Sequence, residues 1–239
     1  MIYKYREVEI FYKFDNKRKE CTNIFLHGWG CDHTKMEPFA RVLKNQNSLF
    51  VDFPPFGESG ENIKAWTIFT YANMLIALCE HLKIEKFNLV GHSFGGRIAI
   101  LLAVLCKQKT DKIVLISSAG MKPRRCLKYY FKVFAYKIKK KLHCDISKYG
   151  SKDYRSMKEE IKPVFVNVVN THLDEFVPLI KNQTIIINGE DDKATPPYMA
   201  KRLHKKIKGS KLCILKNCGH FCFEEKRLEV LLLVKEFLS

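Results

Sequence analysis

Short apolar runs recur along the chain, and each one stops at a turn rich in glycine, proline or small polar residues. The runs are nearly continuous in apolarity and rich in β-branched residues, which is typical of strands buried on both faces of a parallel sheet. An earlier segment, residues 3–14, has interleaved charges and predicts a strand or a hairpin. The apolar runs occupy residues 22–26, 48–53, 87–90, 112–116, 184–187 and 211–215.

Between these runs the apolar residues change to helical spacing. The segments with this spacing are residues 66–82, 96–105, 197–207 and 225–238. Because strands alternate with helices along the chain, the pattern indicates an α/β fold. We therefore predict a doubly wound, mostly parallel sheet with helices on both of its faces.

Residues 121–176 interrupt this alternation, because they contain no clear strand pattern. A basic segment at 124–142 carries an apolar stripe at helical spacing, and a second helical pattern covers 156–170. We therefore predict a helical cap, or lid, at 121–176. It would be inserted into one core domain formed by residues 1–120 and 177–239.

The protein has 239 residues and a formal net charge of +17, so its surface attracts anions. Ten basic side chains fall within residues 122–148, where Asp145 is the only acid. The basic lid indicates either an anionic substrate or peripheral contact with an anionic membrane surface. A charged face that is merely solvated is the alternative. No nucleic-acid-binding motif accompanies the charge, so no nucleic-acid partner is expected.

Nine cysteines are present, an odd number, and Cys79 and Cys106 lie in apolar segments. This pattern favours free thiols in a reducing compartment over a disulfide framework. No cysteine or histidine pairs have the spacing of a zinc site, so no metal is expected. The N-terminal segment lacks the apolar core of a signal peptide, and no apolar stretch reaches the ~20 residues of a membrane span. These features predict a cytoplasmic protein and leave its oligomeric state open.

A serine is the first candidate for covalent chemistry. Ser93 lies in the sequence GHSFG at 91–95, directly after one apolar run and directly before a helical segment. This strand–turn–helix setting is the one in which a G-x-S-x-G motif exposes its serine as a nucleophile. The flanking glycines allow the strand and the helix to approach closely, and the helix N-terminus favours developing negative charge. The five-residue motif by itself is a weak signal.

Other motifs flank this serine and give it a context. They are HGWG at 27–30, DFPPFGES at 52–59, GEDDKATP at 189–196 and NCGHF at 217–221. Together with GHSFGG at 91–96, they make nearly the whole chain resemble the α/β-hydrolase superfamily. The resemblance is to small cap-bearing members such as carboxylesterases, haloperoxidases and meta-cleavage-product hydrolases. It implies the α/β-hydrolase fold for the core domain, with one departure at Phe56, where a glycine is more usual.

The resemblance also implies a base and an acid for Ser93. His220 lies near the C-terminus, where the family has its base, and a serine hydroxyl needs such a base to become a nucleophile. The acid is expected between nucleophile and base along the chain. The G-x-x-D pattern of the acid loop points to Asp192, which would orient the histidine. Asp191 is the alternative, and Glu190 is a more distant one.

Two backbone N–H groups are expected to form an oxyanion hole. The resemblance assigns them to Phe94, which follows the nucleophile, and to Trp29 in the HG loop. The side chains of Trp29, Phe94 and Phe221 are expected to bind the substrate.

The loop that Asp52 opens is interpreted as structural, with Phe53 or Phe56 as possible lining residues of the pocket. Arg97 follows the nucleophile by one helical turn. We interpret it as a structural ion-pair partner rather than a substrate ligand.

The resulting hypothesis is a serine hydrolase, carboxylesterase-like, that cleaves a small ester-like substrate through an acyl-enzyme. It would need neither a cofactor nor a metal. Two alternatives stay open. One is a C–C bond hydrolase or a perhydrolase with the same triad, because a fold does not determine the reaction. The other is a ligand-binding member of the fold that does not catalyse a reaction.

Overall fold

The computed structural model describes residues 1–125, 133–134, 154–155 and 157–239. An eight-stranded sheet runs through this part of the chain, with the strand order β1-β2-β4-β3-β5-β6-β7-β8. The hairpin of the first two strands is antiparallel to the rest, and the strands from β3 to β8 are parallel to one another. The strands are β1 (Ile2–Tyr5), β2 (Val8–Asp15), β3 (Cys21–Leu26), β4 (Asn47–Val51), β5 (Lys86–His92), β6 (Thr110–Ile116), β7 (Thr184–Gly189) and β8 (Lys211–Leu215).

Helices cover both faces of the sheet, as the alternating pattern predicts. One apolar cluster includes residues of α2, α3 and α5, and a second, on the other face, includes residues of α1, α6 and α7. The helices are α1 (Glu37–Val42), α2 (Ile68–His81), α3 (Phe94–Leu105), α4 (Lys162–Asn170), α5 (Pro197–Lys206), α6 (Cys222–Glu225) and α7 (Arg227–Leu238). The predicted α/β fold with a mostly parallel sheet is confirmed.

The register brings the carboxyl ends of the central strands to one edge of the sheet. Leu26 of β3 pairs with Gly91 of β5, and Gly189 of β7 pairs with Leu215 of β8. The loops that follow these strands carry all the candidate residues for chemistry. In open α/β sheets, ligands bind beyond the carboxyl ends of the strands, at the point where the strand order reverses.

The sequence patterns differ from the structure in two elements on one face. The helix predicted for 225–238 is present as α7 but begins two residues later, because Lys226 has a non-helical backbone and separates α7 from the short helix α6, which was not predicted. The carboxylate of Glu225 accepts a hydrogen bond from the Gly219 N–H, so the short helix α6 is held to the preceding loop. Helix α1, with Pro38 in its first turn, is too short to show a period and was not predicted.

Only part of the predicted cap at 121–176 lies within the described residues. Its second helix, predicted for 156–170, begins at Lys162, where Pro163 occupies the first turn and favours a helix start. Val164 and Val168 of this helix are buried. The predicted basic helix at 124–142 lies almost entirely outside the described residues, so the cap as a whole stays a prediction.

Across the described residues, no helix combines the length and the apolarity that a membrane crossing requires.

Candidate active site

Ser93 occupies the sharp turn between β5 and α3. Its backbone angles, φ 50° and ψ −107°, are a strained combination for a residue with a side chain. Its N–H donates to Ile116 O at 3.0 Å, and its carbonyl accepts from the Ala119 N–H at 3.1 Å. A side chain at Gly91 or Gly95 would collide with backbone atoms, so the turn requires both glycines. The fold therefore holds a strained serine at the end of the central strand.

A continuous chain of hydrogen bonds links three of the candidate side chains. His220 Nε2 lies 2.9 Å from Ser93 Oγ, and His220 Nδ1 lies 2.9 Å from Asp192 Oδ2. Asp192 follows β7, and His220 follows β8. The two loops therefore approach Ser93 from the same edge of the sheet.

The carboxylate of Asp192 is fully buried and richly hydrogen-bonded. Oδ1 accepts from the N–H groups of Ala194 and Thr195, both at 2.9 Å, and the Thr195 hydroxyl lies 2.7 Å from Oδ2. Burial by itself would raise the pKa of Asp192, but the hydrogen bonds and charge of His220, together with Thr195, lower the pKa below its ordinary value. An ionised Asp192 accepts a hydrogen bond from the Nδ1–H of His220, which leaves the unprotonated Nε2 free to accept the Ser93 hydroxyl proton.

The two other acids considered for this role lie elsewhere. Asp191 and Glu190 are exposed on the same loop, and their backbone N–H groups donate to Cys218 O and Leu215 O. Of the three acids, Asp192 is the one whose carboxylate the structure brings to His220.

A buried histidine supports the loop of His220 and was not predicted. His92 Nε2 lies 3.1 Å from the carbonyl oxygen of His220. Burial, and then the nearby His220, lower the pKa of His92 to about 3, so its ring is neutral and its Nε2–H can donate to that carbonyl. A side chain at Gly28 would collide with this ring. The signal was present in the motif GHSFG, but the partner of its histidine is 128 positions away along the chain.

A cavity of about 750 Å³ opens over Ser93. It is lined by Trp29, Phe94 and Phe221, the three residues expected to bind substrate, and by Phe56. Phe53, the other expected lining residue, is fully buried and packs on Phe94 at a ring distance of 5.1 Å. Lining residues that were not predicted include Cys31, Met121, Met157, Phe165, Val168 and Met199.

Trp29 and Phe94 were expected to supply the oxyanion hole. Both residues line the cavity beside Ser93. Within the described ranges, neither of their backbone N–H groups has a protein acceptor. Such unpaired donors at a helix N-terminus and an adjacent loop are what an oxyanion hole requires.

The ion pair predicted for Arg97 is not found in the part of the chain that the structure describes. Among the described residues its guanidinium contacts no carboxylate; Nη1 donates to Thr171 O and Nη2 to Val169 O, the latter at 3.4 Å. These carbonyls lie at the C-terminal end of α4, where the helix dipole is negative and a cation is stabilising. Burial lowers the pKa of Arg97 to about 10, so it is charged at neutral pH.

Asp52 is not among the described lining residues of the cavity, and its contacts hold the loop that it opens. Its buried carboxylate accepts hydrogen bonds from the His33 N–H at 2.6 Å and from the Glu58 N–H at 2.9 Å, and it lies 2.9 Å from His33 Nδ1. The Ser59 hydroxyl donates to its carbonyl. These contacts agree with the structural role expected of this loop.

No trio of His, Cys, Asp or Glu side chains in the described part of the chain is arranged to hold a metal ion.

Comparisons with known proteins bear on the family and the fold. The family model described as alpha/beta hydrolase fold matches residues 24–140. An uncharacterized hydrolase of Bacillus subtilis, YugF, is 25% identical over 248 residues, which cover 92% of this chain and 90% of that protein. A 2-hydroxy-6-oxononadienedioate/2-hydroxy-6-oxononatrienedioate hydrolase of Escherichia coli is 25% identical over 250 residues, which cover 91% and 87%.

A solved structure of an alpha/beta hydrolase enzyme from a Medee basin deep-sea metagenome library superposes with a TM-score of 0.81. The two chains are 22% identical, and the alignment covers 100% of this chain and 97% of that one. At this identity the likeness concerns the fold, which is the same. The fold, the family model and the curated relatives agree with the resemblance inferred from the five motifs. The chain therefore belongs to the α/β-hydrolase superfamily and is a hydrolase of that family.

Proposed function

We propose that the protein is a serine hydrolase that cleaves a small carboxylic ester through an acyl-enzyme. The observation that carries the proposal is the hydrogen-bonded chain from Asp192 through His220 to Ser93, beneath an open cavity. A binding protein has no need of this arrangement, whereas a serine nucleophile requires each part of it.

The reaction follows from the positions of these groups. Ser93 Oγ attacks the ester carbonyl carbon while His220 Nε2 takes the hydroxyl proton. The backbone N–H groups of Trp29 and Phe94 donate to the oxygen that becomes negative. His220 then gives its proton to the leaving alkoxide, and the alcohol departs.

Deacylation repeats these steps with water as the nucleophile. His220 takes a proton from the water as it attacks the acyl-enzyme, and later returns a proton to Ser93 Oγ. The carboxylic acid is released and the enzyme returns to its starting state. Asp192 stays ionised throughout and stabilises the imidazolium form of His220.

The walls of the cavity support an apolar acyl group. Trp29 contacts Phe56, Phe94 and Phe165 with ring distances of 4.9, 5.3 and 5.2 Å, so aromatic side chains form one continuous wall. A cavity of this size and composition suits a small molecule that is largely buried when bound.

Hydrolysis of a carbon–carbon bond is the second candidate. It is favoured by the Escherichia coli relative, which is named as a hydrolase of 2-hydroxy-6-oxononadienedioate and 2-hydroxy-6-oxononatrienedioate. Both reactions would use the same three side chains, so only the choice of substrate distinguishes them. The test compares the rate of turnover of p-nitrophenyl esters with that of vinylogous diketones. Faster turnover of the diketones would replace the ester proposal.

Covalent labelling tests the nucleophile directly. A fluorophosphonate probe should label the folded protein, and Ser93→Ala should abolish labelling and lower p-nitrophenyl ester turnover by about 10³-fold or more. Ser118→Ala is the matched control, since its hydroxyl donates to Ala119 O and should be dispensable. Folded wild-type protein that is neither labelled nor active on esters of any chain length would refute the proposal.

A further inference from the structure

Arg97 lies one helical turn beyond Ser93 on α3 and lines the same cavity. Four residues along a helix correspond to about 6 Å along its axis, and residues at this spacing share one face. The residue as a whole is only 7% exposed. A buried cation therefore stands close to the expected acyl group.

The charge of Arg97 has no counter-ion in the described part of the chain. Its two hydrogen bonds, to Val169 O and Thr171 O, use two of the five N–H donors of a guanidinium. Its Nε–H has no acceptor among the described residues. Because burying a charge is unfavourable unless it is paired, the arrangement calls for a negative partner.

The other described lining residues of the cavity supply no such partner. They include neither aspartate nor glutamate, and most of them are apolar. His172 is close by, and its pKa is lowered by burial and then by Arg97 and Arg125, which indicates a positive surrounding. A ligand that brings its own negative charge would complete the site.

We propose that Arg97 binds a carboxylate at the far end of the acyl group, so that the preferred substrates are half-esters of short dicarboxylic acids. A guanidinium matches a carboxylate in shape and makes charge-assisted hydrogen bonds with it. The apolar wall formed by Trp29 and Phe165 then accommodates the methylene chain between the two carboxyl groups. The inference takes its reaction at Ser93 from the proposed function, but the binding of the anion does not depend on that reaction.

Binding is tested first, in the Ser93→Ala background, where no turnover occurs. Monobenzyl glutarate and benzyl valerate differ chiefly in a terminal carboxylate in place of a methyl group. Calorimetry should show the glutarate half-ester binding at least about tenfold more tightly, the ratio that one charge-assisted contact is expected to give. Absence of binding of the half-ester at millimolar concentration, or equal affinity for the two esters, would overturn the proposal.

Two substitutions then separate charge from hydrogen bonding at position 97. Arg97→Gln should abolish the preference for the half-ester, whereas Arg97→Lys, which keeps the charge, should retain part of it. Arg41→Gln removes an exposed cation and should leave the preference intact. A preference that survives Arg97→Gln would overturn the proposal. An equal loss of affinity for both esters in the Gln and Lys variants would also overturn it, because it indicates that Arg97 only holds α4 in place.

Turnover in the wild-type background distinguishes this proposal from the proposed function. The ratio of kcat/KM for mono-p-nitrophenyl glutarate to that for p-nitrophenyl valerate should fall about tenfold in Arg97→Gln. If the valerate ester is the better substrate, the proposed esterase activity is supported and the proposed carboxylate site at Arg97 is overturned. If calorimetry shows the preference but neither ester is hydrolysed, the anion site stands and the esterase falls.

Discussion

At the scale of single residues, the candidate site depends on which acid reaches His220. Three acids follow β7 in succession, and the motif pattern favoured Asp192 over Asp191 and Glu190. Its carboxylate is the one held by Thr195 and turned inward, whereas its neighbours are exposed. Proximity along the chain could not make this distinction, but the direction of the side chain does.

Substitution of the two adjacent aspartates tests this choice. Asp192→Asn should lower kcat on p-nitrophenyl esters by about 10³–10⁴-fold, because an amide at that position no longer favours the tautomer of His220 that accepts the serine proton. Asp191→Asn, the same chemical change one residue earlier, should alter kcat less than about threefold. An equal loss in both variants, with both proteins folded by circular dichroism, would contradict the assignment.

His92 gives the fold a pH dependence of its own. Its pKa is about 3 in the folded state and ordinarily 6.5, so between these values the unfolded chain binds a proton that the folded chain does not. The stability that the neutral His92 contributes is therefore fully present above about pH 6.5 and is lost as the pH falls towards 3. From pH 7.5 to 5 this group alone should lower the free energy of unfolding by about 2 kcal/mol.

Urea denaturation at the two pH values measures this effect. His92→Gln, whose amide can still donate to the carbonyl of His220, should lose about 2 kcal/mol less than the wild type on acidification. His81→Gln, at an exposed histidine, should follow the wild type. Identical acid sensitivity of the His92 variant and the wild type would show that its ring takes up a proton in the folded state.

At the scale of elements, the boundaries of strands were predictable because apolar runs end at turns. The short helix α1 and the break at Lys226 were not, since the first is too short to show a period and the second depends on a contact of Glu225 with Gly219. The partner of Arg97 was missed for a related reason. Its two acceptors lie 72 and 74 positions away, in a segment whose placement the sequence pattern does not specify.

One ion pair and several hydrogen bonds fasten both ends of the 121–176 segment to α5. Asp174 accepts from the Lys122 N–H at 2.8 Å, and Arg202 of α5 bridges the Asp174 carboxylate and the Lys122 carbonyl at 2.5 and 2.6 Å. Lys206, on the next turn of α5, donates to the Asp174 carbonyl. The chain therefore leaves and re-enters the core at one clamped point.

Removal of this clamp should loosen the segment without unfolding the core. Asp174→Ala is expected to lower the free energy of unfolding by about 1–2 kcal/mol, and to raise the rate of amide hydrogen exchange around Lys122 and Thr171 several-fold. Glu175→Ala is the matched control, because Glu175 is exposed and next in sequence. Unchanged exchange in Asp174→Ala would show that other contacts hold the segment.

At the scale of the whole molecule, the net charge of +17 leads us to propose peripheral contact with anionic membranes. The protein should sediment with vesicles that contain phosphatidylglycerol at low salt and be released at about 0.5 M NaCl, since screening shortens the range of such forces. Vesicles of phosphatidylcholine alone should not retain it. Retention that ignores both salt and anionic lipid would contradict an electrostatic mode of contact. The total charge was readable from composition, but its arrangement over the surface was not.

The bond between His92 and the carbonyl of His220 has a mechanical consequence. Ser93 is covalently attached to His92, so the nucleophile and the loop that bears the base share one anchor at the end of β5. We therefore expect the two groups to move together when the sheet flexes, so that their separation varies less than the position of either one. The shared attachment at the end of β5 should therefore preserve the distance between the nucleophile and its base during thermal motion of the sheet.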